Sequence, residues 1–555
     1  MARGLLSQLC PFCPKVNPNA LDQLQKIDRS QNIDGWNVQL YFFSRNPGVL
    51  LAVAVFIVGI CFGIATWVQK PVSKAVPVQI LTTEDLKKEL AQPKPDMAKV
   101  IAVLKDVAFD ADEDVPVGEW ITGAALTPSE KLVAKAAWSS LTEGDQFEPS
   151  ADLLYYAHYV KPLRFANELI GDHYLETGEF HQAATYYRRE ARFPDAEAAR
   201  TKLLEVTLAA QDREMLKSIG SDPTMAKDLK PEHRIYLAAA QQKWGDLLKP
   251  LGELQAHLLK PVPAFLAALA GLVWLAVALQ SVQPPGLFSF RVALVLCAVV
   301  MGMCSTFPTL ISGLWMEETL GLREGESLYQ TLTYFLFSVG PREEILKLLF
   351  VVPLMPLCIV RKSRLEMLIA GGAVGLGFAI WENLQYFAQY GSAAAFTRFL
   401  TANFFHLALT GLNALALYDL ICHPIRRFLP FVGIFVGTVV AHAMYDFLAS
   451  VPGMVLLFGD TIIFMLVSLF FFRTLRVLRD GSTDQLSIGA TFVVGVSTLT
   501  GAILILASRE IGLHQTLLVL GVTSFFLFMV GYMFFWQLGS GMTVVEEVSP
   551  DSYRI

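Results

Sequence analysis

Ten runs of apolar residues, each close to the length of a bilayer-spanning helix, punctuate this 555-residue chain. A span needs about 20 residues. The runs are Val49–Val68, Val262–Val282, Phe288–Leu310, Pro341–Val360, Met367–Tyr386, Phe399–Ile421, Leu429–Leu448, Val455–Phe472, Ile488–Ala507 and Leu517–Phe535. Charged residues make up only 17% of the chain, against about 25% in soluble domains. The expected fold class is therefore all-α: a polytopic membrane protein with about ten transmembrane helices and an inserted α-helical extramembrane domain. A net charge of −6 over this length gives no reason to expect a nucleic-acid partner. The first apolar run begins well inside the chain, so it is expected to stay as an anchor in the lipid bilayer rather than be cleaved as a signal peptide.

Basic residues set the orientation. "RKSR" at Arg361–Arg364, "HPIRR" at His423–Arg427 and "RTLRVLR" at Arg473–Arg479 occupy alternate loops, which places those loops, and both termini, in the cytoplasm. The resulting domain plan has six parts: a cytoplasmic tail (1–47), an anchor (48–69), an extramembrane helical domain (70–260), a membrane core (261–473), additional spans (474–537) and a cytoplasmic tail (538–555). Cys10 and Cys13 form a single "CPFC". A structural zinc site takes four ligands, so an unligated pair in a reduced tail is expected there; the alternative is half a zinc ribbon completed by a partner.

Within 70–260, the stretch "ANELIGDHYLETGEFHQAATYYRREARFP" (166–194) places Gly171, Tyr174, Gly178, Phe180, Ala183 and Tyr187 at the interlocking positions of a tetratricopeptide-like helix pair. Such units stack on neighbours to bury a core. A peptide or protein partner is one expected use of this domain, and a plain helical spacer is the other.

Charges inside spans cost on the order of 2.5–3.5 kcal/mol each and mark functional candidates. Here they are Glu343, Glu344 and Lys347; Glu382 beside Asn383; His406; and His442 with Asp446. With a rise of about 1.5 Å per residue, Glu343, Glu382, His406 and His442 all fall roughly 20–25 Å from the cytoplasmic ends of their spans. Polar groups with unrelated structural roles would not be expected to coincide in depth. Lys347 is one helical turn from Glu343 and can pair with it. Asp446 is one turn from His442 and can orient it, and Tyr386 lies one turn beyond Glu382.

Two adjacent carboxylates in a medium of low dielectric cannot both ionise cheaply, which suits such a pair to accepting and releasing a proton. A glutamate could take the proton of a water attacking an amide carbonyl, with His442 donating to the developing oxyanion. The same glutamates and histidines could instead hold a divalent metal such as zinc, with Glu343, Glu382, His406 and His442 as candidate ligands. The metal-free arrangement is preferred, because the glutamate pair with its lysine already supplies a base and a counter-charge.

"EEILK" (Glu343–Lys347) resembles the EExxK motif of PrsW-type intramembrane proteases. "FAIWENLQY" (Phe378–Tyr386), "FFHLALTGLNA" (Phe404–Ala414) and "AHAMYDF" (Ala441–Phe447) resemble their second, third and fourth motifs. These proteins are related to the CAAX prenyl endopeptidases and bacteriocin-processing enzymes. In the wider group a histidine follows four residues after an aromatic one; here Glu382 takes that place after Phe378, as in the PrsW branch. The resemblance implies a protease of the bacterial inner (plasma) membrane that cuts membrane-anchored protein substrates, in some members an anti-sigma factor. It implies catalytic roles for Glu343, Glu344, Glu382, His406, His442 and Asp446, with Lys347, Asn383 and Tyr386 in support. Two other classes fit the intramembrane charges: a proton- or ion-coupled transporter and an inactive protease-like scaffold. The single depth of the polar groups argues against the first, and the intact motifs against the second.

Overall fold

The computed structural model describes residues 43–44, 46–68, 82–107, 115–158, 163–210, 212–226, 229–282, 286, 288–325, 327–392, 394–451, 454–479 and 487–539. The Cys10/Cys13 pair and nearly all of both terminal tails lie outside them. The described residues are almost wholly helical, with no strand among them. They divide into two compact units: one formed by the described residues within 1–69, 260–309 and 323–555, the other by those within 70–259 and 310–322.

The helices of the first unit are α1 (Pro47–Val68), α2 (Pro261–Ser281), α3 (Phe290–Leu320, whose end from 310 counts with the second unit), α4 (Gly340–Val351), α5 (Arg364–Tyr390), α6 (Ala394–Leu400), α7 (Ala402–Cys422), α8 (Pro424–Ser450), α9 (Met454–Leu478), α10 (Ile488–Ile511) and α11 (Leu513–Gly539). Among the described residues, eight stretches are long and apolar enough to cross a membrane, and α11, bent by 60° between Phe525 and Leu527, makes a ninth. The protein is an integral membrane protein. The expected span 341–360 is not one helix. α4 stops at Val351, a tight turn covers Val352–Leu354, and a short helix resumes at Met355–Val360. Pro353 and Pro356 account for the break, since each lacks an N–H donor and its ring obstructs the preceding turn. On its other side α4 is extended by Leu328–Tyr334 and a widened helical turn at Phe335–Val339, a feature frequent at functional sites.

One aromatic cluster ties the unit together. Trp274 of α2 lies against Phe399, Phe404, Phe492 and Phe534 with ring centroids 5.0–5.7 Å apart. Its buried indole N–H donates to the Phe399 carbonyl at 2.8 Å, which satisfies the one polar atom the ring brings into the core. Around this cluster α5 and α7 pack at backbone distance. A methyl group on Gly375 of α5 would lie 2.1 Å from the carbonyl oxygen of His406 on α7, so only glycine allows this approach. Gly340, at the start of α4, similarly meets the Val439 carbonyl of α8, 2.8 Å from where a Cβ would be.

The second unit is built of short helices with strong local signals. Thr127 caps Pro128–Glu143 and exchanges hydrogen bonds with Glu130, and Asp212 caps Arg213–Ser221 at 2.9 Å. Helices Ala166–Glu176 and Phe180–Glu190 form a hairpin that turns at Gly178, where φ is +77°. Tyr187 is fully buried against Gly171, and a methyl group there would overlap the Tyr187 ring at 2.7 Å. The Tyr187 hydroxyl donates to Asp172 at 2.6 Å; burial, with Asp172 beside it, pushes this phenol far above its ordinary range. Tyr174 stacks on Tyr186. Phe180 does not join the interlock and is 37% exposed.

Gly375→Ala is expected to destabilise the membrane unit by about 1–3 kcal/mol, the usual cost of overpacking. Gly437→Ala, on α8 with nothing within 4 Å of the added methyl, should stay within about 0.5 kcal/mol of the parent. Reversible unfolding in mixed micelles compares the two; equal losses would refute the close α5–α7 contact.

Candidate active site

The residues that carry the polar character of the first unit come from five helices. α4 brings Glu343, Glu344 and Lys347, which its pitch places on one buried face. Lys347 has no exposed surface. Its ammonium donates to Glu343 Oε2 at 3.0 Å, to Glu344 Oε1 at 3.3 Å and to His406 Nδ1 of α7 at 2.8 Å. The Phe378 ring of α5 closes the remaining side, 4.0 Å from ring centroid to Nζ. All three donors of the ammonium are thus used, and the aromatic face adds a cation–π contact.

An ammonium only donates, so His406 accepts at Nδ1 and carries its proton on Nε2. That N–H points at Glu382 Oε2 of α5, 3.1 Å away. The same carboxylate oxygen receives Arg398 of α6 at 2.7 Å. Arg398 also donates to Asn383, and its guanidinium lies 3.5 Å above the Tyr386 ring. Asn383 in turn donates to Asn403 of α7.

His442 of α8 closes the other end. Its Nδ1 is 2.9 Å from Glu344 Oε1. Glu344 Oε2 receives Asn413 at 3.1 Å, and Asn413 receives Thr438 of α8 at 2.8 Å. His442 Nε2 faces Glu343 Oε2 at 3.6 Å and Asp446 Oδ2 at 3.4 Å, both longer than a hydrogen bond. Asp446 therefore shares one side of the imidazole with Glu343, while Glu344 is the carboxylate that holds Nδ1. Glu344 is fully enclosed. The accessible edge of the cluster is formed by Asp446, with a side-chain exposure of 29%, Glu382 and, to a smaller degree, Glu343.

The structure brings all nine residues expected from the sequence into this one assembly, Tyr386 through Arg398 rather than directly. Sequence reasoning missed Arg398, Asn403, Asn413 and Thr438. Three of them carried a readable signal: Asn403 and Asn413 lie three before and seven after His406, and Thr438 lies four before His442, so each shares a helical face with its histidine. Arg398 lies 16 residues from Glu382 on another helix, and nothing in its spacing points to that carboxylate.

Glu343, His406 and His442 each offer a donor atom within 4.8 Å of the others, a carboxylate and two imidazoles that could hold a metal ion. This donor set suits zinc. It has the expected outer support as well: each imidazole has its second nitrogen on a carboxylate, His406 on Glu382 and His442 on Glu344. Glu382, also a candidate ligand from the sequence, takes that supporting place.

A helical membrane protein with carboxylates and histidines gathered inside its spans is the kind of scaffold that intramembrane hydrolases use. Residues 291–475, about a third of the chain, match the family model of the PrsW family intramembrane metalloprotease. This stretch is thus similar to a PrsW family intramembrane protease domain, and the match supports a peptidase. No match was found to a curated protein or to a solved structure.

Removing Arg398 leaves the Glu382 carboxylate with His406 as its remaining partner. Breaking a fully buried pair costs about 3–5 kcal/mol; with the Arg398 and Glu382 side chains keeping 17% and 24% of their surface exposed, Arg398→Ala should destabilise by about 1–3 kcal/mol, and Glu382→Gln in the same chain should recover much of it. A double-mutant cycle on unfolding free energies measures the coupling; strictly additive losses would show that the pair holds nothing in place.

Proposed function

We propose that this assembly is a metal-bearing peptidase site that hydrolyses a peptide bond of a membrane-anchored protein. The observation that carries the reading is the Glu343–His406–His442 donor triad with Glu382 and Glu344 behind its imidazoles. It tips the balance away from the metal-free arrangement favoured on the sequence alone. Glu343 and the two histidines would hold the ion, zinc by its donor set. When bound, it supplies Lewis-acid polarisation and a water that ionises near neutral pH.

The remaining roles fall to the chain itself. Glu344 keeps its two oxygens on Lys347, His442 and Asn413, so it orients His442. Glu382, fixed by Arg398, orients His406. With Glu343 committed to the ion, Asp446 is the carboxylate at the accessible edge beside His442 Nε2, and it takes the proton of the attacking water and returns it to the leaving amine. A second, metal-free reading has one observation in its favour: Lys347 already compensates both glutamates. In it Glu343 is the base and His442 the donor to the oxyanion.

The same proposal covers the setting: a bacterial plasma membrane, cytoplasmic termini, and the 70–260 region outside as a tetratricopeptide-like adaptor that selects substrates. The Gly171–Tyr187 interlock supports the tetratricopeptide-like hairpin in that region. An anti-sigma factor is the substrate the family resemblance suggests.

Glu343→Gln and His442→Ala should each lose bound metal and cleavage together. Asp446→Asn should keep the metal and lose about 10²–10⁴ in single-turnover rate, the usual worth of a general acid–base group. Metal analysis alongside cleavage of a tagged membrane substrate reads both. Metal-free Glu343→Gln protein made from metal-free, fully active parent protein would favour the second reading, and parental turnover by Asp446→Asn would remove that residue from proton transfer.

A further inference from the structure

Lys347 is the one charged residue of the assembly for which the metal reading has no task. Like Glu344, it is completely enclosed. The nitrogen it contacts on His406 is Nδ1, and Nε2 of that ring is already held by Glu382, so Nδ1 is the nitrogen left for a metal. The oxygen it contacts on Glu343 is Oε2, the same atom that faces His442 Nε2. The ammonium therefore sits on two of the three donor groups a metal would use.

We propose that Lys347 is a built-in stand-in for the metal, an internal cation that holds Glu343, Glu344 and His406 together in the metal-free protein and that an incoming ion must displace from His406 and Glu343. The inference rests on the metal reading above and adds to it a competition inside the chain.

Three physical points support it. Two adjacent carboxylates, Glu344 fully enclosed and Glu343 nearly so, need a counter-charge for the helices to pack at all, and the membrane gives them none during insertion. A lysine ammonium is compact and on a flexible four-carbon stem, so it can fill a cation site and withdraw from it. An arginine fork, planar and wider, could do neither as readily. The Phe378 face at 4.0 Å stabilises the cation without adding a donor atom that would favour a metal in the lysine's own position. In this account the lysine lowers the affinity of the site for metal while keeping its donors from collapsing or scattering.

The test uses the full-length chain purified in detergent, with Lys347→Met and Lys347→Gln beside the parent. Zinc affinity is read by competition with a chromophoric chelator, and thermal unfolding is followed with and without zinc. With the competing charge gone, both variants should bind zinc about tenfold or more tightly than the parent, and their metal-free forms should melt lower and be restored by zinc. Variants recovered only in the presence of zinc would support the same conclusion, because the ion then replaces the ammonium. Zinc binding equal to or weaker than the parent's in both variants, or variants that stay unfolded with zinc present, would overturn it. Absence of zinc binding by parent and variants alike would overturn the metal reading first, and this inference with it.

Discussion

The first unit is organised around a single buried ammonium. A charge with no solvent around it is tolerated only where every donor is met, and Lys347 meets that demand with Glu343, Glu344 and His406. The demand propagates. His406 is turned so that its other nitrogen reaches Glu382 on α5, Glu382 takes Arg398 from α6, and Glu344 reaches His442 on α8 and Asn413 on α7. Five helices are linked through one connected set of polar contacts. The glycines that let α5 press on α7 and α4 press on α8 bring those contacts into range.

This arrangement separates fixed groups from available ones. Glu344, Asn383, Asn403, Asn413 and Lys347 are enclosed and hydrogen-bonded within the assembly. His442 Nε2, Glu343 and Asp446 face a common space at distances too long for direct hydrogen bonds. A hydrolytic site needs both kinds of group: a rigid frame that costs no reorganisation, and a few atoms held ready for the reacting partner.

Much of this was legible in the sequence. Helical pitch alone pairs Glu343 with Lys347 and places His442 near Asp446, and the apolar runs give the span positions. Glu343, Glu382, His406 and His442, which the helical rise places at one depth, meet in one polar assembly. The run 341–360 read as a single span because hydropathy does not register Pro353 and Pro356, whose effect is on backbone geometry. That Glu344 rather than Asp446 holds His442 Nδ1 depends on how α4 and α8 cross, which local spacing does not encode. Arg398 was unreadable for a similar reason: its partner lies 16 residues away on another helix. In the second unit, the Gly171–Tyr187 contact was legible because small and large residues alternate at interlocking positions, whereas Phe180 fits the same pattern and remains exposed.

The central claim is that Glu343, His406 and His442 form a metal-holding peptidase centre framed by Lys347, Glu382 and Glu344. X-ray absorption on the purified, proteolytically active protein tests it most directly. The account predicts one divalent ion per chain with a first shell of two imidazole nitrogens and carboxylate or water oxygen, and loss of cleavage when the ion is chelated. Active protein with far less than one ion per chain, cleaving undiminished in chelator, would contradict it.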